Sequence, residues 1–341
     1  MAHLVAQELH GRGHAIGVMA PSPGPAVDQF QGLGAEFHPA SVGSLRGAAD
    51  VRRVASATIG YDVLYSHTSI PGQILGDIAC QVTKRAHVVH QHTVPRVSPS
   101  PVVGVMHRAL YRATVVRRLI IAVAPHVRSA VLRLGARPDL VEIVPNGVDA
   151  DALEQIAVSA PRHVDPRVGM LARFDPQKGI NVFLEAAAEL RDSGAAFVLG
   201  ASGRAYPEHE RDVRAEAGGL DVEVVDPGDR GAPFLSRLDI VVVPSLRAEG
   251  LPLTLLEAMA LGKAVVASDV QGIGSIAGLT DAVVLVPVGD VRATADAIRA
   301  LIRDPSKRMR IGARAVSFVR RGYRADEAAR YAADVVERST S

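Results

Sequence analysis

Short runs rich in Val and Ile recur along the whole chain, and stretches with helical apolar spacing separate them. Neighbouring strands of this kind run parallel only if a helix carries the chain back across the sheet, so the alternation predicts βαβ units and parallel sheets. In the first half the runs are 14–19, 62–66, 86–92, 119–123 and 141–144. In the second half they are 167–172, 196–200, 222–225, 239–243, 264–267 and 282–286. Helix patterns between them include 181–191, 252–261 and 292–303. Two doubly wound α/β domains are expected, and 341 residues suits two.

The seam is placed within 153–166, where Ser159, Ala160, Pro161 and Pro166 form a linker-like stretch. The first domain is then 1–155 and the second 156–322. Residues 323–341 hold an amphipathic helix at 325–338, with Ala328, Ala329, Ala332, Val335 and Val336 on one face, expected to cross back to the first domain. The opening of the chain is irregular. A doubly wound domain begins with a central strand, a Gly-rich turn and then a helix. Here Leu4, Val5 and Leu9 already carry helical spacing, and a strand pattern follows Gly11 and Gly13. The expectation is a first domain without its first strand and Gly-rich turn, which would leave the neighbouring strand edges unpaired.

Composition excludes several classes. Lys plus Arg (38) against Asp plus Glu (36) leaves a formal charge of +2, far from the basic excess of a nucleic-acid binder, so no nucleic-acid partner is expected. Aromatics are 4% with no Trp, which argues against base-stacking surfaces and Trp-built carbohydrate platforms. The single Cys80 excludes an internal disulfide framework and a Cys-based zinc site. Apolar stretches such as 119–125 and 238–246 fall short of the roughly 20 residues that span a bilayer. Met1 leads into no basic signal-peptide region, and a cytoplasmic protein is expected.

The strongest chemical signal runs from Glu249 to Lys263, directly after the strand pattern 239–243 and Pro244-Ser245. A strand end, a turn with Gly250 and a helix starting near Pro252 create a helix N-terminus whose free N–H groups attract phosphate. Seven residues separate Glu249 from Glu257, so one carboxylate sits in the loop and the other about a turn and a half inside the helix. Carboxylates accept hydrogen bonds from sugar hydroxyls, and the layout suits a phosphorylated sugar. Either glutamate alone reads as readily as a solvated surface residue; the whole string points to a site. Arg173 and Lys178 form a second group at the end of the run 167–172, where α/β sheets bind ligands. A diphosphate would be neutralised there, whereas a lone loop pair of this kind is ordinarily solvent-exposed.

With Val144-Pro145-Asn146-Gly147-Val148-Asp149, Arg173, Lys178-Gly179 and the string from Glu249 to Asp269, the chain resembles the family 4 glycosyltransferases. The resemblance covers nearly the whole chain and is most specific over 144–278. It implies the GT-B fold, two Rossmann-like domains facing across a cleft. It also implies retaining transfer of a hexosyl group from a nucleotide-sugar donor bound mainly by the second domain. On the matching positions it implies Arg173 and Lys178 on the donor diphosphate, Glu249 near the sugar ring and Glu257 on the ribose hydroxyls. The backbone from Gly250 through Leu251 to Leu253 would serve the phosphates. It implies His92, at the end of the run 86–92, as a strand-end histidine facing the reacting sugar, with His67 beside it. The catalytic set is thus His92, Arg173, Lys178 and Glu249. The donor set is Arg173, Lys178, Glu249, Gly250, Leu251, Leu253 and Glu257. The nucleotide sugar is a substrate and no cofactor is expected, because fixed cations stabilise a leaving diphosphate without a metal.

Other features carry plainer readings. Asp149-Ala150-Asp151 has the D-x-D form of metal-dependent transferases but reads as a helix start after Asn146-Gly147. His90 and His92 share a strand face; core packing is expected for His87 and His90. A zinc site in this cluster lacks a carboxylate or Cys at suitable spacing, so no metal site is expected. Arg108, Arg112, Arg117 and Arg118 follow Val102, Val103, Val105 and Met106. The plain reading is a helix with a solvated basic face. The sharper one, prompted by lipid-linked acceptors in the family, is a peripheral contact with the inner face of a membrane.

Two alternatives stay open: a nucleotide-sugar epimerase of the same architecture, and a catalytically impaired transferase subunit, favoured by the missing Gly-rich turn. The acceptor is a glycan, a lipid-linked molecule or a small molecule, chosen by loops of the first domain such as 93–104.

Overall fold

The structure, a computed structural model, describes residues 1–40, 48–95, 101–161, 163–203 and 205–340. Of the acceptor-side loop 93–104, residues 96–100 lie outside the described residues. The chain divides into two compact α/β units, Met1–Asn146 with Ala325–Ser341, and Gly147–Arg324.

The first unit runs α1 (Ala2–Gly11), β1 (Gly17–Ala20), α2 (Pro25–Gln31), β2 (Glu36–Pro39), α3 (Ala48–Ala57), β3 (Val63–Ser66), α4 (Ile70–Thr83), β4 (Ala86–Gln91), α5 (Pro101–Val115), β5 (Leu119–Ala122), α6 (Pro125–Arg133) and β6 (Val141–Ile143). Its strands form two parallel sheets, β1-β2 and β3-β4-β5-β6. One face is covered by α1 and the last helix of the chain, through Val5, Leu9, Ala332 and Val335 packed with Val88 and Ile121. On the other, Val54 and Ala55 of α3 meet Leu75 and Ala79 of α4. The sequence reading missed β2, whose four residues include a single large apolar side chain, Phe37, and a proline.

The second unit runs α7 (Ala150–Val158), β7 (Arg167–Arg173), α8 (Ile180–Ala188), β8 (Ala196–Ser202), α9 (Pro207–Gly219), β9 (Glu223–Val225), α10 (Gly231–Ser236), β10 (Ile240–Val243), α11 (Leu253–Ala260), β11 (Ala264–Ser268), α12 (Ile273–Ala277), β12 (Val283–Val286), α13 (Val291–Arg303) and α14 (Pro305–Gly322); α15 (Ala325–Arg338) then belongs to the first unit. The sheet order is β12-β11-β10-β7-β8-β9, all parallel. The strand order reverses between β7 and β10, which opens a crevice at their carboxyl ends.

Two readings are corrected. The expected boundary at 155/156 and linker at 153–166 give way to a division at Asn146/Gly147, with residues up to Val158 in α7. The Asp149 side chain caps that helix by accepting from Ala152 N at 3.0 Å, and α7 packs on α10 and α11. Arg118, counted with an exposed basic face, is 1% exposed. α5 ends at Val115, so Arg118 does not continue its solvated side. Arg118 Nη1 donates to Asp77 Oδ2 at 2.7 Å and Nη2 to Gln73 Oε1 at 3.1 Å. His87 lies in the same buried network, donating from Nδ1 to Asp77 Oδ1 at 2.6 Å and accepting at Nε2 from the Ser66 hydroxyl at 2.8 Å.

No helix among the described residues is long and apolar enough to cross a membrane.

Candidate functional site

The crevice of the second unit is built by docking two loops. After β7, the Asp175 side chain accepts from Gln177 N at 3.0 Å and starts a short turn, Pro176–Lys178. Gly179 then takes φ +72° against the Pro244 carbonyl, with which any Cβ would collide. Leu246 N donates to Gln177 O at 2.8 Å, so the loop after β10 is bonded to the loop after β7. The same economy of space holds Glu249: its N–H donates to Gln271 O at 2.9 Å, and a Cβ on Gly272 (φ +96°) would lie 2.5 Å from Glu249 O. Glycine is required at both places by the positive φ and by the close backbone.

These constraints bring Lys178 Nζ to 2.7 Å from Glu249 Oε1, and the Ser245 hydroxyl donates to the same oxygen at 2.7 Å. Both charged side chains are partly buried. They line a cavity of about 290 Å³ with Arg173, Ser202, Gly228 and Thr254. Arg173 stands at its rim, 70% exposed, with a loose pairing to Asp175 at 3.7 Å. Thr254 belongs to the first turn of α11, whose N-cap residue, Pro252, supplies no side-chain cap. The arrangement offers two cations, a hydrogen-bonded carboxylate and free helix N–H groups on one small volume, a combination that suits an anion carrying hydroxyls.

Arg173, Lys178 and Glu249 are therefore brought together. Gly250, Leu251, Leu253 and Glu257 are not among the residues lining this cavity. Leu251 is buried and Leu253 is exposed, while Glu257 is half-buried in α11 with its carboxyl pushed up by burial. Sequence reasoning missed Ser202 and Ser245. The signal that could have found them is position, since each directly ends or follows a strand at the crevice.

In the first unit His92 follows β4, and His67 follows β3. His67 Nδ1 and His92 Nε2 are 2.7 Å apart, and the His90 and His92 rings stack with centroids 4.3 Å apart. Burial, then the nearby amino terminus, lowers His92 to about 4; a hydrogen bond that the ring donates to Asn146 opposes the shift. Burial and the His92 charge lower His67 to about 3, and burial holds His90 well below its ordinary value. All three imidazoles are neutral at pH 7. Among the described residues they are the one set of three such side chains with ligand atoms within 4.8 Å of one another. The His92 ring stacks at 17° to His90 and 20° to His67, while His67 and His90 are tilted by 37° to each other. At the D-x-D string, Asp149 is the α7 cap and Asp151 pairs with Arg320 at 3.4 Å and Arg324 at 3.1 Å.

Residues 1–152 match the family described as Glycosyltransferase Family 4, and residues 165–304 match the one described as Glycosyl transferases group 1. A phosphatidyl-myo-inositol mannosyltransferase of Mycolicibacterium smegmatis is 31% identical over 93% of this chain and 84% of its own length. The protein of that name from Mycobacterium leprae is 36% identical over 54% of this chain and 50% of its own length. Among solved structures, Anabaena Alr3699/HepE in complex with UDP and glucose superposes with a TM-score of 0.82 at 19% identity, covering 98% of this chain and 94% of that one. At that identity the likeness is one of fold.

Proposed function

The chain belongs to glycosyltransferase family 4, and from that premise we propose that it moves a sugar, with retention and without a metal, from a nucleotide-sugar donor to an acceptor. The observation that carries this reading is the Lys178–Glu249 pair inside the crevice between β7 and β10, with Arg173 at its rim. As the bond between the anomeric carbon and the diphosphate oxygen breaks, the electron pair leaves with the diphosphate. Charge then grows beside the cations Lys178 and Arg173, which offset it. Glu249 orients Lys178 and accepts from sugar hydroxyls. Glu257 takes the ribose hydroxyls, and the backbone at Gly250, Leu251 and Leu253 serves the phosphates. His92, held neutral, hydrogen-bonds the sugar without placing a cation there.

The UDP and glucose of the Anabaena structure favour a nucleoside-diphosphate hexose as donor. The names of the mycobacterial relatives favour a lipid-borne acceptor. Exposed Val105 (67%) and Met106 (50%) of α5, next to Arg108, suit a peripheral membrane contact of the kind that acceptor needs. Loss of binding to anionic vesicles in Met106→Asp tests that contact.

The reading is tested by supplying nucleotide sugars with and without acceptors. Nucleoside diphosphate released only with acceptor, and a product of unchanged anomeric configuration by proton NMR, is the expected result. Interconversion of the donor sugar without release would mark an epimerase instead. A chelator should leave the rate unchanged; loss restored by Mn or Mg would overturn metal independence.

A further inference from the structure

His92 stands inside a turn closed by the side chain before it. Gln91, the last residue of β4, donates from Nε2 to the carbonyl of Thr93 at 2.7 Å. Successive side chains of a strand point to opposite faces, so Gln91 turns toward α4 while His92 turns away from it. On the α4 side Gln73 donates from Nε2 to Gln91 Oε1 at 2.8 Å and to the carbonyl of Thr68 at 2.9 Å. Thr68 follows His67, so the two amides hold the backbone next to both strand-end histidines. Gln73 is fully buried and Gln91 nearly so.

A glutamine amide fits its site either way round, and its partners decide which end donates. Here the decision starts at Arg118. A guanidinium has donors and no acceptor, so Nη2, 3.1 Å from Gln73, is met by Oε1. Gln73 Nε2 is thereby left for Gln91, which presents Oε1 and sends its own Nε2 to Thr93. Arg118 is itself fixed, by Asp77 at 2.7 Å and by the Tyr111 ring, whose centroid lies 4.5 Å from the guanidinium carbon. The donors along Arg118, Gln73, Gln91 and Thr93 therefore all point one way, and a satisfied buried network of this kind holds a single arrangement.

We infer, on the reading of His92 as the histidine that hydrogen-bonds the sugar, that Gln91 is a positioning residue for His92, with its amide oriented by Arg118 through Gln73. The bond to Thr93 fixes the backbone on both sides of His92. Displacing a reacting-site group by about 1 Å can cost on the order of 100-fold in rate, so a tether of one hydrogen bond is enough to matter.

Two variants break the tether in different ways. Gln91→Met keeps the unbranched side chain and removes the donor to Thr93. Gln73→Glu leaves Gln91 intact but sets an acceptor where a donor stood, so the Gln91 amide turns round and its oxygen meets the Thr93 carbonyl. Each should lower kcat by about tenfold or more, and the double variant should be no slower than the worse single one, because both break one link and only independent defects multiply. Ser66→Ala is the control. It takes the donor from His87 Nε2 and so weakens the same buried network, without touching the path from Arg118 to Thr93, and should keep the parent kcat. Binding of UDP, followed by calorimetry, should be the same in all four proteins. The ring nitrogens of His92, followed by long-range proton–nitrogen NMR, should shift in Gln91→Met and Gln73→Glu and stay in place in Ser66→Ala, whether or not transfer is detected. A parent protein that transfers no sugar would contradict the proposed function and leave the NMR result to decide the role of Gln91. Unmoved His92 signals, an unchanged kcat in either variant, a double variant whose losses multiply, or a Ser66→Ala protein as slow as Gln91→Met would each overturn that role.

Discussion

Lys178 and Glu249, 71 residues apart in sequence, meet at 2.7 Å because the loop after β7 is hydrogen-bonded to the loop after β10. The pair spans the place in the sheet of the second unit where the strand order reverses, so a side chain from each side of the crevice reaches the same volume. Glu249 also accepts from Ser245, a second donor on the same carboxylate oxygen.

Lys178→Ala and Arg173→Ala are each expected to lower turnover by on the order of 100-fold, because each removes a cation from the leaving diphosphate. Melting temperature should change little, since Ser245 still satisfies Glu249 and Arg173 is largely exposed. Rates measured at saturating donor, with melting curves beside them, check this. A Lys178→Ala enzyme that works at the parent rate would remove Lys178 from the chemistry.

How much of this was legible beforehand follows from which residues carry it. Runs such as 239–243 declare themselves because a parallel strand covered by helices on both faces is apolar throughout. β2 does not, since Glu36-Phe37-His38-Pro39 has neither a continuous apolar run nor clean alternation. Arg173, Lys178 and Glu249 could be singled out by residue type at strand ends, but their meeting depends on a loop-to-loop hydrogen bond that no local pattern encodes. The end of the first domain was misjudged for a related reason: Asp149 reads as a helix start, yet which unit that helix packs on is decided by α10 and α11. The helix pattern ahead of the first strand run is α1, and β1 and β3 stand in separate sheets.

The histidine cluster sets an acid limit. The unfolded chain takes protons on these imidazoles near pH 6.5, while in the fold His92 is lowered to about 4 and His67 to about 3. Between those values the unfolded state binds more protons, so stability falls as pH drops below about 6.5 and levels off only below the folded values. For His92 alone the loss is on the order of 3 kcal/mol. Urea midpoints measured from pH 7.5 to 4 should decline accordingly, and His92→Gln should shrink the decline. A flat profile in the parent protein would contradict the burial of these rings.

Arg118 makes the buried counter-charge to Asp77. Arg118→Ala leaves that carboxylate desolvated beside His87, and removing one partner of a buried pair costs roughly 3–5 kcal/mol. Denaturant unfolding of the variant should show a loss of this size. A change below about 1 kcal/mol, typical of an exposed pair, would mean that Arg118 is solvated.

The central claim is that the crevice between β7 and β10 binds the diphosphate of a nucleotide donor through Lys178. Titration calorimetry of a panel of nucleoside diphosphates, UDP included, against the parent protein and Lys178→Ala tests it without requiring an acceptor. At least one nucleotide should bind the parent with one-to-one stoichiometry and bind Lys178→Ala at least tenfold more weakly. Equal affinity for the two proteins, or no binding of any nucleotide to the parent, would contradict the account.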